Sequence, residues 1–185
     1  MKDLMRQRTS IKPEIIDILN EQVRIEATAS AAYLAMAAWC DQHGWDNSAD
    51  HFYTQADEER MHMLKLFRYV SDMGAAAISP QVGEVQHDFS TLKEVFETAL
   101  DNEIHVTESI NKIVVACRNA NDFATESFMQ WYVQEQVEEE YVARRAVELF
   151  DIMGDSGMDL ILIDERIPKI VYQEAGAGAE GGEEA

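Results

Sequence analysis

Basic residues are scarce in this chain: 15 Lys and Arg stand against 35 Asp and Glu, a formal net charge of −20 over 185 residues. A phosphate-binding surface needs a basic patch, so nucleic acid is not an expected partner, and neither is an anionic membrane surface. The acid surplus fits cation partners, or simply a soluble, self-repelling surface. Cysteine is almost absent. Cys40 and Cys117 form no CxxC pair and no disulfide framework, which suits small buried residues in a reducing compartment. Long apolar runs are missing too. No segment approaches the ~20 residues that span a bilayer, and the N-terminal "MKDLMRQRTSIKPEIIDIL" lacks the continuous apolar core of a signal peptide. The expected location is the cytoplasm. Only three prolines and nine glycines occur, most of the glycines near segment ends or in the C-terminal tail, which favours long helices. No alternating run of β-branched residues suggests a sheet, and there is no convincing internal repeat.

What is present is helical. With 46% hydrophobic residues, the chain is expected to form one domain with a sizeable core. The first helix is expected from about Pro13, a good first helical residue, to about Asp41, with Gly44 as its stop. The second runs from about Asn47 to Met73, with Phe52, Ala56, Met63, Phe67 and Val70 as its apolar stripe. The connection "AAAISPQVGEVQHDFS" follows. The third helix starts near Thr91, where Thr91-x-x-Glu94 reads as a capping box, and runs to about Arg118. Its stripe is Leu92, Val95, Phe96, Ala99, Ile110, Ile113 and Val114. After the turn "NAND" the fourth runs from about Phe123 to Met153, and a short fifth, interrupted near Pro168, covers about 159 to 172. The domain is thus expected over residues 1–172. The remaining 173–185, glycine-rich and acidic, read as a disordered tail. Short turns join helices one to two and three to four, while the long middle connection can carry the chain back along the bundle. An all-α four-helix bundle with one long crossover is the ferritin-like arrangement.

Carboxylates are costly to bury unless paired or bound to metal, so those near mid-helix among apolar neighbours are informative. There is one such place per helix: Glu26 in the first, Glu59 with His62 in the second, Glu103 in the third, and Glu135, Gln136, Glu138, Glu139 and Glu140 in the fourth. Glu59 and His62, at i and i+3, share one face and can bind one metal together. Glu26, Glu103 and Glu139 can close the site from the other helices. Four carboxylates and one imidazole suit hard or borderline metals such as iron or manganese better than a thiol-rich zinc site would. Each piece alone has a bland reading: Glu-x-x-His as a surface pair, Glu26 at a bundle edge, "EQVEEE" as a solvated face. The combination at similar depth in all four helices favours a site.

The segments "LNEQVRIEATASAAYLAMAAWC", "ADEERMHMLKLFRYVSDMG", "DNEIHVTESIN" and "FMQWYVQEQVEEE" resemble the four helices of bacterial non-haem ferritins, over about residues 10 to 165. The resemblance implies a ferroxidase, an Fe(II):oxygen oxidoreductase. Its substrates would be Fe(II) and dioxygen, and it would store ferric mineral in a homo-oligomeric shell of twenty-four subunits. By the same resemblance Glu26, Glu59 and His62 form a first iron site, and Glu59, Glu103 and Glu139 a second, with Glu59 bridging and Gln136 near the second iron. Glu58, Glu135, Glu138 and Glu139 match a third iron site. Tyr33, seven residues after Glu26, matches a family tyrosine near the centre; it is either a hydrogen-bond partner and electron donor or a core residue with a satisfied hydroxyl. Glu126 is either a lining residue of a three-fold channel or a favourable charge at a helix N-terminus.

Relatives on the same bundle fit less well. A bacterioferritin would repeat Glu-x-x-His on the fourth helix, where Glu135-Gln136-Val137-Glu138 has no histidine; Arg60 stands where a haem-ligating methionine would be, so haem is not expected. A miniature ferritin would lack the fifth helix. A di-iron oxidoreductase acting on an organic substrate or peroxide is the alternative activity, and a scaffold bundle without chemistry is the non-catalytic one. The sequence also departs from the family in Ala27, Ala29, Ala31 and Ala32, a stripe so small that neighbours are expected to fill the space beside it.

Overall fold

Each helix boundary has a local cause. In the computed structural model, which describes residues 9–173, the first helix, α1, covers Pro13–His43. Proline at its start supplies the right φ and lacks only an N–H that would be unbonded there anyway. It ends at Gly44, φ 77°, where Trp45 N donates to Cys40 O (3.0 Å) and Gly44 N to Asp41 O (3.2 Å), a Schellman-type stop. The second helix, α2, is Asp46–Asp72. The third, α3, is Leu92–Ala120, capped by Thr91 Oγ1, which accepts from Glu94 N (3.1 Å). The Glu94 carboxylate reaches back one residue further than a standard capping box, to Ser90 N (2.7 Å). The fourth, α4, is Phe123–Met153, capped by Asp122. The fifth, α5, is Met158–Arg166, shorter than the expected 159 to 172. Pro168, with no N–H to donate, leaves only a 3₁₀ turn at Ile167–Lys169. The expected disordered tail lies outside the described residues, apart from Gln173.

α1 pairs with α2 and α3 with α4, and the two hairpins meet along α1 and α3. Gln22 contacts Ser109 and Tyr33 contacts Glu103, so α1 and α3 are antiparallel, which leaves α2 and α3 parallel. The long crossover makes this possible by running along α1. Asn20 Nδ2 donates to Ala76 O, Ile78 N to Asn20 Oδ1, and Gly83 N to Thr28 Oγ1; Phe89 then meets the edge of Trp39. The space beside the small α1 stripe is not filled as expected. A pocket of about 310 Å³ remains between Ala29 and Ala32 of α1, Val106 of α3 and the crossover.

The core is split in two. One cluster includes Tyr33, Phe52, Phe96, Phe150 and Ile163, and the other Leu19, Leu66, Ile110, Met129 and Tyr132. Between them every long helix contributes a buried polar group: Glu26, Glu59 with His62, Glu103, and Gln136 with Glu139. The α2 stripe differs from expectation here. Met63 and Phe67 are only partly buried, and the buried positions are Ser48, Ala49, Phe52, Ala56, Glu59, His62, Leu66 and Val70. The polar pair occupies the core line itself. No helix among the described residues is long and apolar enough to cross a membrane.

Candidate metal centre

The polar layer is built by one turn from each helix. Glu26, Glu59 and His62 present ligand atoms that all lie within 4.8 Å of one another; no other such set of three occurs among the described residues. Glu26, Glu59 and Glu103 are each 1% exposed. Burial at that level demands partners, and the partners are incomplete. Glu26 Oε1 accepts from Gln22 Nε2 (2.9 Å), but Glu26 Oε2 and Glu59 Oε2 are buried with no donor from any other residue, only a proton that the two carboxyls can share. His62 Nδ1 lies 3.5 Å from Glu59 Oε2, too long for a good hydrogen bond. Two orphaned carboxylate oxygens facing an imidazole form a donor set that fits a divalent cation.

Glu103 is held differently. Tyr33 Oη donates to its Oε1, and Gln136 Nε2 to its Oε2 (3.0 Å). Both oxygens therefore have donors from other residues, whereas Glu26 and Glu59 each leave one oxygen without. Tyr33 is fully buried and stacks on Phe52, so it is both a core residue and a hydrogen-bond donor to the site. Glu139, 8% exposed, lines an adjoining pocket of about 490 Å³ between α2 and α4, together with Glu58, Glu135, Glu138 and one side of His62. The matched third-site residues thus do share one cavity, beside the centre.

Charge accumulates without relief. Burial, then the nearby charge of Glu59, holds the Glu26 carboxyl well above the usual carboxylate range. Burial, then Glu103, does the same to Glu59. Glu139 is pushed up to about 9 by burial and by Glu103. Glu103 is raised by burial, although its two donors oppose the shift. Burial raises half-buried Glu58 as well. Such a cluster binds protons or cations. Glu126 contributes nothing to it: it sits in the first turn of α4 and pairs with Arg118 Nε at 2.7 Å across the α3–α4 turn.

Several supporting residues escaped the sequence reading. Gln22, one turn before Glu26 on the same face, orients it, and Ser109 of α3 in turn donates to Gln22 Oε1 (2.7 Å). Tyr132 Oη donates to the His62 carbonyl (2.8 Å), and Trp131 meets the His62 ring edge-on at 5.3 Å. The i−4 spacing of Gln22 and of Tyr132 from Glu26 and Gln136 was the available signal.

The ferritin-like domain matches residues 16–153 of the chain. A probable bacterial non-heme ferritin-like protein of Haemophilus influenzae is 36% identical over 155 residues, 84% of this chain and 94% of that protein. The bacterial non-heme ferritin of Escherichia coli O6:H1 is 36% identical over 166 residues, 88% of this chain and 99% of its own. Among solved structures, an open pore ferritin from Archaeoglobus fulgidus superposes with a TM-score of 0.83 at 33% identity, covering 85% of this chain and 96% of the other. A match over three-quarters of the chain and a shared bundle lead to one conclusion: the chain belongs to the ferritin-like family, alongside the bacterial non-heme ferritins.

Proposed function

We propose that the chain is an iron-storage ferritin that oxidises Fe(II) with dioxygen in its buried centre and keeps the ferric product inside a homo-oligomeric cage in the cytoplasm. The observation that carries this is the pair of orphaned oxygens, Glu26 Oε2 and Glu59 Oε2, beside His62. Glu26, Glu59 and His62 hold a first Fe(II). Glu59, whose carboxyl feels the charges of Glu103 and Glu139, holds a second with them, and Gln136 Nε2 donates to Glu103. Two Fe(II) each lose one electron, and one dioxygen takes up both. Hard carboxylate oxygens stabilise Fe(III) over Fe(II), so the ligands favour oxidation. Tyr33 holds Glu103 in place and is an oxidisable ring next to the centre. Glu58, Glu135 and Glu138 take a third cation in the adjoining pocket, which they line together with Glu139. The relatives named bacterial non-heme ferritin support the activity and the cage, and the same likeness supports a shell of twenty-four. The two buried free cysteines suit a reducing compartment.

The test is iron retention. Metal-free protein receives excess Fe(II) in air and is passed through gel filtration. Iron far beyond two per chain, eluting with a very large particle, is the expected result. About two per chain on a small oligomer would mean a di-iron enzyme on the same bundle instead.

A further inference from the structure

Lys65 lies where two grooves on the α2–α4 face meet. It lines the acid pocket with Glu58, Glu135, Glu138 and Glu139, and also a second pocket of about 560 Å³ beyond it, toward Arg68 and Phe128. Its ammonium sits 2.9 Å from the centroid of the Trp131 ring, a cation–π berth. Lys65 has no carboxylate partner among the described residues, as is also true of Lys12, Arg60, Arg68, Arg166 and Lys169; it differs from them in being the cation that lines the acid pocket. Partial burial lowers the pKa of Lys65, and the charge of Glu135, in the shared pocket, opposes that shift. A second observation comes from the pocket itself: Glu139, more than nine-tenths buried, receives no hydrogen bond from any described residue.

We propose that Lys65 is the built-in counter-cation of the acid pocket: it partly neutralises the acids and keeps a divalent cation there weakly bound. This rests on reading the pocket as a cation site. A flexible four-carbon stem lets the ammonium lean toward the acids or lie back on Trp131. The ammonium rests on the Trp131 ring at the wall of the pocket, so a divalent ion entering among the acids meets a like charge already held there. The ion is held loosely and passes on, which suits a relay from the buried centre to the mineral.

The test uses metal-free assembled protein titrated calorimetrically with Zn(II), which is redox-inert. In Lys65→Met the weakest binding step tightens about tenfold, because a like charge lining the same pocket has been removed. Lys65→Arg keeps the wild-type affinity, and the tightening disappears in Lys65→Met combined with Glu135→Ala. Gel filtration of each variant checks assembly. Unchanged affinity in Lys65→Met overturns the proposal, as does a tightening that survives Glu135→Ala. Absence of any step beyond the buried centre, in wild type and Lys65→Met alike, overturns it too. Ferrous oxidation by the wild-type protein reads the buried centre alone, so it separates that failure from a failure of the proposed function.

Discussion

Two buried acids packed along α2, one at its N-terminus and one at its middle, are treated in opposite ways. Asp164 of α5, 7% exposed, accepts from Ser48 N (2.8 Å), Ser48 Oγ (2.6 Å), Asn47 Nδ2 (2.9 Å) and Asn47 N (3.3 Å). It caps the N-terminus of α2 from a distant part of the chain, and its charge complements the helix dipole. Glu59, in the middle of the same helix, is more deeply buried and leaves an oxygen without a partner. A satisfied buried acid belongs to the architecture. An unsatisfied one, facing a second unsatisfied acid and an imidazole, belongs to a ligand.

The comparison can be broken from either side. Glu59→Gln, which keeps the shape and removes the charge, is expected to slow Fe(II) oxidation roughly 100-fold or more while the cage still assembles. His62→Ala should do the same; stopped-flow absorbance with gel filtration checks both, and undiminished oxidation in both variants would sink the site assignment. Asp164→Ala should show the reverse pattern. It is expected to cost about 3 kcal/mol, since it strips a charge-assisted cap from α2, and to leave the oxidation rate near wild type. Chemical denaturation reads the first effect.

Acidity sharpens the contrast further. Glu139 has a folded value near 9 against an ordinary 4.5, so the folded chain binds its proton more tightly than the unfolded chain. Stability from this group is therefore full below about 4.5 and is lost as pH rises toward about 9. The metal-free protein should melt at progressively lower temperature across that window. Glu139→Gln should flatten the slope, and so should saturating Zn(II). A melting temperature that rises with pH over the same range would contradict this. The smallest effect expected is that of Tyr33→Phe. Glu103 loses one of its two donors, for about 1 kcal/mol of stability and a severalfold slower oxidation.

Much of the centre was legible because its residues break a pattern. Glu26, Glu59, Glu103 and Glu139 fall on apolar faces, so burial could be inferred before any coordinates, and the capping box at Thr91 and the stop at Gly44 depend on neighbours a few residues away. Three features were not legible. Asp164 caps a helix 116 residues earlier in the chain, and no local signal reports so distant a hydrogen bond. The α2 stripe was drawn through Met63 and Phe67 because apolarity marks a buried line only when the line is apolar; here His62 and Leu66 hold it. The placement of Lys65 on Trp131 depends on the rotation of α2 against α4, which periodicity does not set.

The most direct test of the central claim is anomalous diffraction at the iron edge, on crystals soaked anaerobically with Fe(II). The account predicts a peak bounded by Glu26, Glu59 and His62, with weaker density in the pocket of Glu58, Glu135 and Glu138. Iron confined to that acid pocket, with none beside the two orphaned oxygens, would contradict it.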